Sequence, residues 1–243
     1  MAKIIFLPRS KAELMSLNHS PDRAVFDVSS YAPSPFKRLS PLAHSRDYRI
    51  PVPGTDAVSN SVEGIWQGLK VIDGVTDENL FIGKPKKRRG KVSGHSYDGS
   101  LLDVMQARVK IYYPAYKFYL ENYAPEQALD EILKEQRSGK MVYLHDVEEN
   151  GDLRDPRPMA HSAFLAFYLN ARIASEPKRD TAADVTLSEI IERDAEFTDK
   201  VLMIHELAEQ DDMFRSVVYR CIDHPTSRED WRIGKALQHL RKI

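Results

Sequence analysis

The chain has 243 residues, 42% apolar and 29% charged, with 35 basic and 36 acidic side chains. That balance fits a folded globular protein and excludes a general polyanion binder, so a phosphate site must be a local cluster. One cysteine, Cys221, excludes an internal disulfide framework and a cysteine-based zinc site. The apolar run Met1 to Leu7 ends at Pro8 and Arg9, too short for a signal peptide. No stretch approaches the roughly 20 apolar residues of a membrane span, so a cytoplasmic protein without a membrane partner is expected.

Lys3 to Leu7 and Ala24 to Val28 read as short strands, separated by a polar stretch with a helical turn. Pro33, Pro35 and Pro41 forbid regular helix in the loop that follows. Tyr48 to Val52 is a third strand candidate. Asn60 to Lys70 then reads as one short helix, with Asn60 as cap and Glu63 completing a capping box. Glu63, Gln67 and Lys70 fall at i, i+4 and i+7 on one face, opposite an apolar stripe of Val62, Trp66 and Leu69. Spacing alone fits an ordinary solvated face with a Glu–Lys pair.

Asp73-Gly74 is a stop signal. Lys84 to Lys91 holds six basic residues in eight, a solvated run or a patch for phosphates or nucleic acid. Arginine fits phosphate oxygens bidentately, which favours Arg88 and Arg89. Gly94 to Gly99 reads as a turn cluster. Ser100 to Tyr123 has apolar residues at helical spacing, with Pro114 expected to break or kink it. Pro125 to Arg137 is a second amphipathic helix, Lys140 to His145 an extended segment, and His161 to Ile173 an apolar helix. Between the last two lies an acidic loop holding Asp152 and Asp155. Residues 176–181 read as a linker, and helical patterns resume from Val185 and run, past Pro225, to Leu240. His205-Glu206 lacks the second histidine of a zinc-protease helix, and His224 and His239 have no ligand spacing. Neither metal nor cofactor is expected.

The run from Asn60 to Lys70 resembles the signature helix of the NADAR superfamily, whose pattern is Ser-Glu-His, two aromatics, Gln, two residues, Lys. Glu63, Trp66, Gln67 and Lys70 match at the same spacing, while Val62, Gly64 and Ile65 depart from it. Ser29, Ser30 and Tyr31 precede a Pro-Ser-Pro-Phe turn like the family's early loop. The acidic loop stands where the family carries Trp-Gly-Asp; the Trp is missing, and Asp152 and Asp155 both remain candidates for the loop acid. The resemblance implies an α+β, mainly α fold over residues 1–175. It implies a helical core with a small N-terminal antiparallel sheet, and residues 176–243 would add a helical extension. It also implies an N-glycosidase acting on an ADP-ribosylated or phosphoribosylated substrate, free or carried on nucleic acid. Glu63 would stabilise positive charge at ribose C1, Asp152 or Asp155 would bind ribose hydroxyls, and Lys70 would orient Glu63 or bind phosphate. Gln67 would hold the leaving base or the Glu63 carboxylate. Trp66, Ser30, Tyr31, Arg88 and Arg89 would complete the substrate contacts. A catalytically silent module that binds a nucleotide or a protein is the alternative.

Overall fold

The computed structural model describes residues 3–17, 20–175, 196–210, 218, 232–235 and 237. The fold is mixed α+β. It divides into two compact units, residues 1–170 and 171–243. The expected linker at 176–181 and most of the expected C-terminal helices, with Cys221, Pro225 and Trp231, lie outside the described residues.

Three strands open the architecture of the first unit: β1 (Ile4–Phe6), β2 (Arg23–Asp27) and, far along the chain, β8 (Met141–His145). Their order is β1-β8-β2 and both pairings are parallel, with Ile4 and Ala24 each opposite Val142. The expected N-terminal antiparallel sheet is therefore corrected. Helix α1 (Arg9–Leu17) returns the chain between β1 and β2, so both strands run the same way, and β8 slots between them. Val142 and Leu144 are fully buried at the centre of this sheet.

Two antiparallel sheets follow among the described residues. One pairs β3 (Ile50–Pro51) with β4 (Val58–Ser59), and the other orders β5 (Lys70–Ile72), β6 (Val92–Tyr97) and β7 (Ser100–Leu102). The segment read as a turn cluster is thus mostly strand, and only Asp98-Gly99 turns. Gly94 permits the strand because a Cβ there would lie 2.5 Å from Leu102 O. The helical run expected from Ser100 starts later, at α3 (Val104–Ala107), with an Asp103–Gln106 capping box. It passes through a π-turn at Arg108–Tyr112 into α4 (Tyr113–Asn122). Tyr113 N–H donates to Arg108 O, and Pro114, which has no N–H to give, follows directly. The shift of register absorbs the proline in place of a break.

Tyr116, Tyr119, Phe164 and Phe167 are among the largest fully buried side chains, so α4 and α6 (His161–Ser175) build the core. Helix α5 (Glu126–Arg137) adds Leu129, Ile132 and Leu133. In the second unit, Val201, Leu202 and Ile204 of the helix Phe197–Gln210 are buried, and Arg232 lies over the Phe197 ring. No helix among the described residues is long and apolar enough to cross a membrane.

Candidate functional site

Helix α2 (Val62–Gly68) carries the candidate residues. Its cap is Ser61, whose Oγ accepts the Gly64 N–H at 3.0 Å. Asn60, the expected cap, instead donates to Tyr48 O and accepts the Gly83 N–H, tying two loops together. The helix ends at Gly68, so Lys70 is the first residue of β5 and not the last of the helix. The packing around α2 is tight at its two glycines. A Cβ at Gly64 would lie 2.6 Å from Leu80 O, which explains physically why a histidine at this position has no room.

Glu63 is therefore on no solvated face; it is 7% exposed. Its Oε1 accepts a hydrogen bond from Gln67 Nε2 at 2.7 Å. Gln67 Oε1 in turn accepts from Lys70 Nζ at 3.1 Å and from the Arg88 backbone N–H at 3.0 Å. Two donors on one oxygen fix the amide orientation, so the nitrogen must face the carboxylate. The other Glu63 oxygen takes no hydrogen bond from the described residues. Burial pushes the Glu63 carboxyl up, against the pull of Gln67, Lys70, Lys87 and His161. Burial pushes the Lys70 ammonium down, against the pull of Glu63.

Arg88 has a different task from the expected one. Its guanidinium donates to the carbonyls of Lys70, Gln67 and Val75 and so ties the basic run to the end of α2. Lys84, Lys86, Lys87, Arg89 and Lys91 stay exposed. Lys87 lies within electrostatic reach of Glu63 and Lys70.

The acidic loop does not bring Asp152 or Asp155 into the buried cluster. Asp152 pairs with Arg154 and Asp155 with Arg157, both at the surface. The Arg157 pair holds the Asp155 carboxyl down to about 2. Buried Arg108 shapes this loop by donating to the carbonyls of Leu153, Asp155 and Arg157 at 2.5, 2.7 and 2.6 Å.

The buried acid of this region is Asp146, directly after β8. It accepts from His161 Nδ1 and Ser162 N–H, each at 2.9 Å, and from Glu148 N–H at 2.7 Å. His161 Nε2 lies 2.9 Å from Val28 O. Both ring nitrogens face acceptors, so both carry protons and His161 is an imidazolium. Burial opposes that charge, and Asp146 together with the Val28 carbonyl outweighs it, so His161 is raised. Burial opposes the Asp146 charge too, and His161 with the two backbone N–H groups drives the carboxyl down. Asp146, His161 and Ser162 are no nucleophilic triad. Nε2 serves Val28 O, and Ser162 Oγ meets no partner among the described residues.

The pair joins the ends of two parallel strands to the start of α6. Beyond Val28, Ser29 Oγ accepts the Tyr31 N–H. Ser30 is half-buried and Tyr31 is 85% exposed. Trp66 is half-buried, with its ring centroid 3.9 Å from that of His95 and 5.5 Å from that of Tyr112. Tyr112 is buried within electrostatic reach of Glu63, Asp146 and Arg108. Among the described residues no cluster of three or more His, Cys, Asp or Glu could hold a metal ion.

Sequence reasoning did not single out Asp146, His161, His95 or Arg108. Two signals were present. Asp146 directly follows a strand, and His161 is the polar first residue of a mainly apolar helix. His95 and Arg108 sit among turn-like and helical patterns that carry no such mark.

The family model for DUF6939, a family of unknown function, matches residues 8–165, and the chain belongs to that family. The matched span holds Glu63, Gln67, Lys70, His95, Arg108, Asp146 and His161 together. Comparison with curated proteins and with solved structures finds no match.

Proposed function

We propose that this chain is an N-glycosidase that hydrolyses the bond between a ribose C1 and a nitrogen of an ADP-ribosylated or phosphoribosylated substrate. The observation that carries the reading is the buried Glu63 carboxylate, anchored through Gln67 to Lys70 on one oxygen and unengaged on the other. A carboxylate set in this way suits an oxocarbenium-like transition state. The C1–N bond breaks with its electron pair leaving on nitrogen. Water adds to C1 and gives one proton to Glu63; the leaving base takes one proton from solvent water, and Glu63 returns its own to solvent. Lys70 acts through Gln67, which aligns the carboxylate. Asp152 or Asp155 meets the ribose hydroxyls from the loop that Arg108 holds. Lys87 and Arg89, from the exposed cations of the run, meet phosphate, since the Arg88 guanidinium serves backbone carbonyls. Trp66, Ser30 and Tyr31 border the substrate.

One observation favours the second reading, a silent module that binds a nucleotide or a protein. Both candidate loop acids are occupied by adjacent arginines. The test sets wild type and Glu63→Gln against ADP-ribosylated guanine in DNA, NAD and phosphoribosyl-pyrimidines, with mass spectrometry for released ADP-ribose or ribose phosphate. Release by the wild type and not by the variant supports the glycosidase. Tight ADP-ribose binding with no release from any substrate overturns it in favour of the module.

A further inference from the structure

Gln67 cannot serve both the Glu63 carboxylate and the leaving base. Its oxygen takes two donors and its nitrogen gives a proton to Glu63. The base therefore needs another polar partner, and β6 supplies one. His95 is 2% exposed, and both of its ring nitrogens lack hydrogen-bond partners among the described residues. Buried polar groups are nearly always satisfied, so a histidine left this way calls for an explanation. His95 stands directly across from Lys70 in the β5–β6 ladder. Cross-strand partners project to the same face, which is the face from which the Lys70 ammonium reaches Gln67. The His95 ring also lies against Trp66, one residue before Gln67 on α2.

The surroundings narrow the ligand class. Burial, with Lys70 and Arg108 nearby, pushes the imidazole down to about 3, so it is neutral at ordinary pH. A neutral imidazole offers one donor and one acceptor. The same two cations disfavour a positively charged ligand. The complement is a neutral, flat heterocycle with ring nitrogens and exocyclic oxygen or nitrogen, able to lie along an aromatic wall.

We propose that His95 contacts the substrate directly, and that with Trp66 it receives the heterocyclic base, hydrogen-bonding it through a ring nitrogen that has no protein partner. This rests on the glycosidase reading for the base being the leaving group. Binding of the base itself is a separate measurement.

The experiment uses the full chain labelled with ¹⁵N, titrated with guanosine, adenosine, cytidine and uridine in turn. The ring nitrogen signals of His95 are assigned by their loss in His95→Phe. At least one nucleoside should shift those signals, and His95→Phe should weaken its binding about tenfold or more. The phenyl ring keeps the shape against Trp66 and removes the unmet nitrogens, so the variant should melt no lower than the wild type. The proposal is overturned if no nucleoside moves the His95 signals, if the variant binds as well as the wild type, or if it melts well below it. Shifted His95 signals with no riboside cleaved would leave this inference standing and remove the glycosidase. Cleavage by both wild type and His95→Phe, with His95 signals unmoved, would do the reverse.

Discussion

Gln67 carries three obligations with one amide, one a buried hydrogen bond and two part-buried. It donates to Glu63, accepts from Lys70 and accepts from the Arg88 backbone. Gln67→Leu keeps much of the volume and strands all three partners. Stranded buried polar groups cost about 1–3 kcal/mol each, so the denaturation midpoint should fall clearly. An unchanged midpoint would show that these bonds contribute nothing to the fold. Glu63→Gln tests a different property of the same chain of bonds. The new side chain can still accept from Gln67, and a desolvated carboxyl is replaced by an amide, so the melting temperature should hold or rise. Turnover should drop by about 10²–10⁴, the usual worth of a positioned acid–base group. The carboxylate form is the one that takes the water proton. Because burial raises the Glu63 carboxyl, the rate should fall as pH drops through a value above the ordinary carboxylate range. A pH–rate profile flat down to the ordinary glutamate value would remove Glu63 from that role.

Helix α2 is short, and it holds its place by close approach on two sides. A Cβ at Gly64 would meet Leu80 O at 2.6 Å and Ser61 Oγ at 2.9 Å; one at Gly68 would collide with the Phe81 ring. Backbone oxygen cannot swing aside, so Gly64→Ala should destabilise by about 1–3 kcal/mol, as overpacking does. Thermal melting checks this; a variant as stable as the wild type would mean that the Leu80 segment gives way freely. The sequence spacing placed Glu63 and Gln67 on one helix and located their shared face. It also extended the helix to Lys70, because a period of 3.6 fits that lysine as well as a turn into β5 does. The face looked solvated because its residues are polar, and nothing local reveals that Pro41, Leu80 and Phe81 close over α2. Parallel pairing of β1, β2 and β8 was hidden for a similar reason. Three-residue and five-residue strands name no partner, and the one they share comes far along the chain. The Asp146–His161 contact is non-local too, joining a strand end to a helix start, whereas α5 and α6 were legible from their own periodicity.

Across the whole molecule, two buried histidines give stability opposite dependences on pH. His95 is lowered to about 3, below the ordinary value of about 6.5. Between those values the unfolded chain holds a proton that the folded chain lacks, so stability rises with pH. The slope from this group is up to about 1.4 kcal/mol per pH unit. Its contribution is complete above the ordinary value and is lost as pH falls. His161 is raised, so its contribution is complete below the ordinary value and is lost as pH rises through its folded value. Asp146 is lowered, so its share is present above the ordinary aspartate value and is lost only in stronger acid. Glu63 is raised, and its share is lost as pH rises through its folded value. The histidine terms together place maximum stability near the ordinary histidine value, with Glu63 pulling it toward the acid side. Chemical denaturation from pH 4 to 9, on the order of one reading per pH unit, separates the terms. His95→Phe should flatten the acid limb and leave the alkaline limb in place. Asp146→Asn should shrink the alkaline limb, because His161 then keeps only the Val28 carbonyl and the more distant Glu63 to hold its charge. Removing one member of a buried ion pair should also cost about 3–5 kcal/mol near neutral pH. An acid limb unchanged in His95→Phe would assign that limb to carboxyl groups, and an alkaline limb of unchanged size in Asp146→Asn would assign it to groups other than the Asp146–His161 pair.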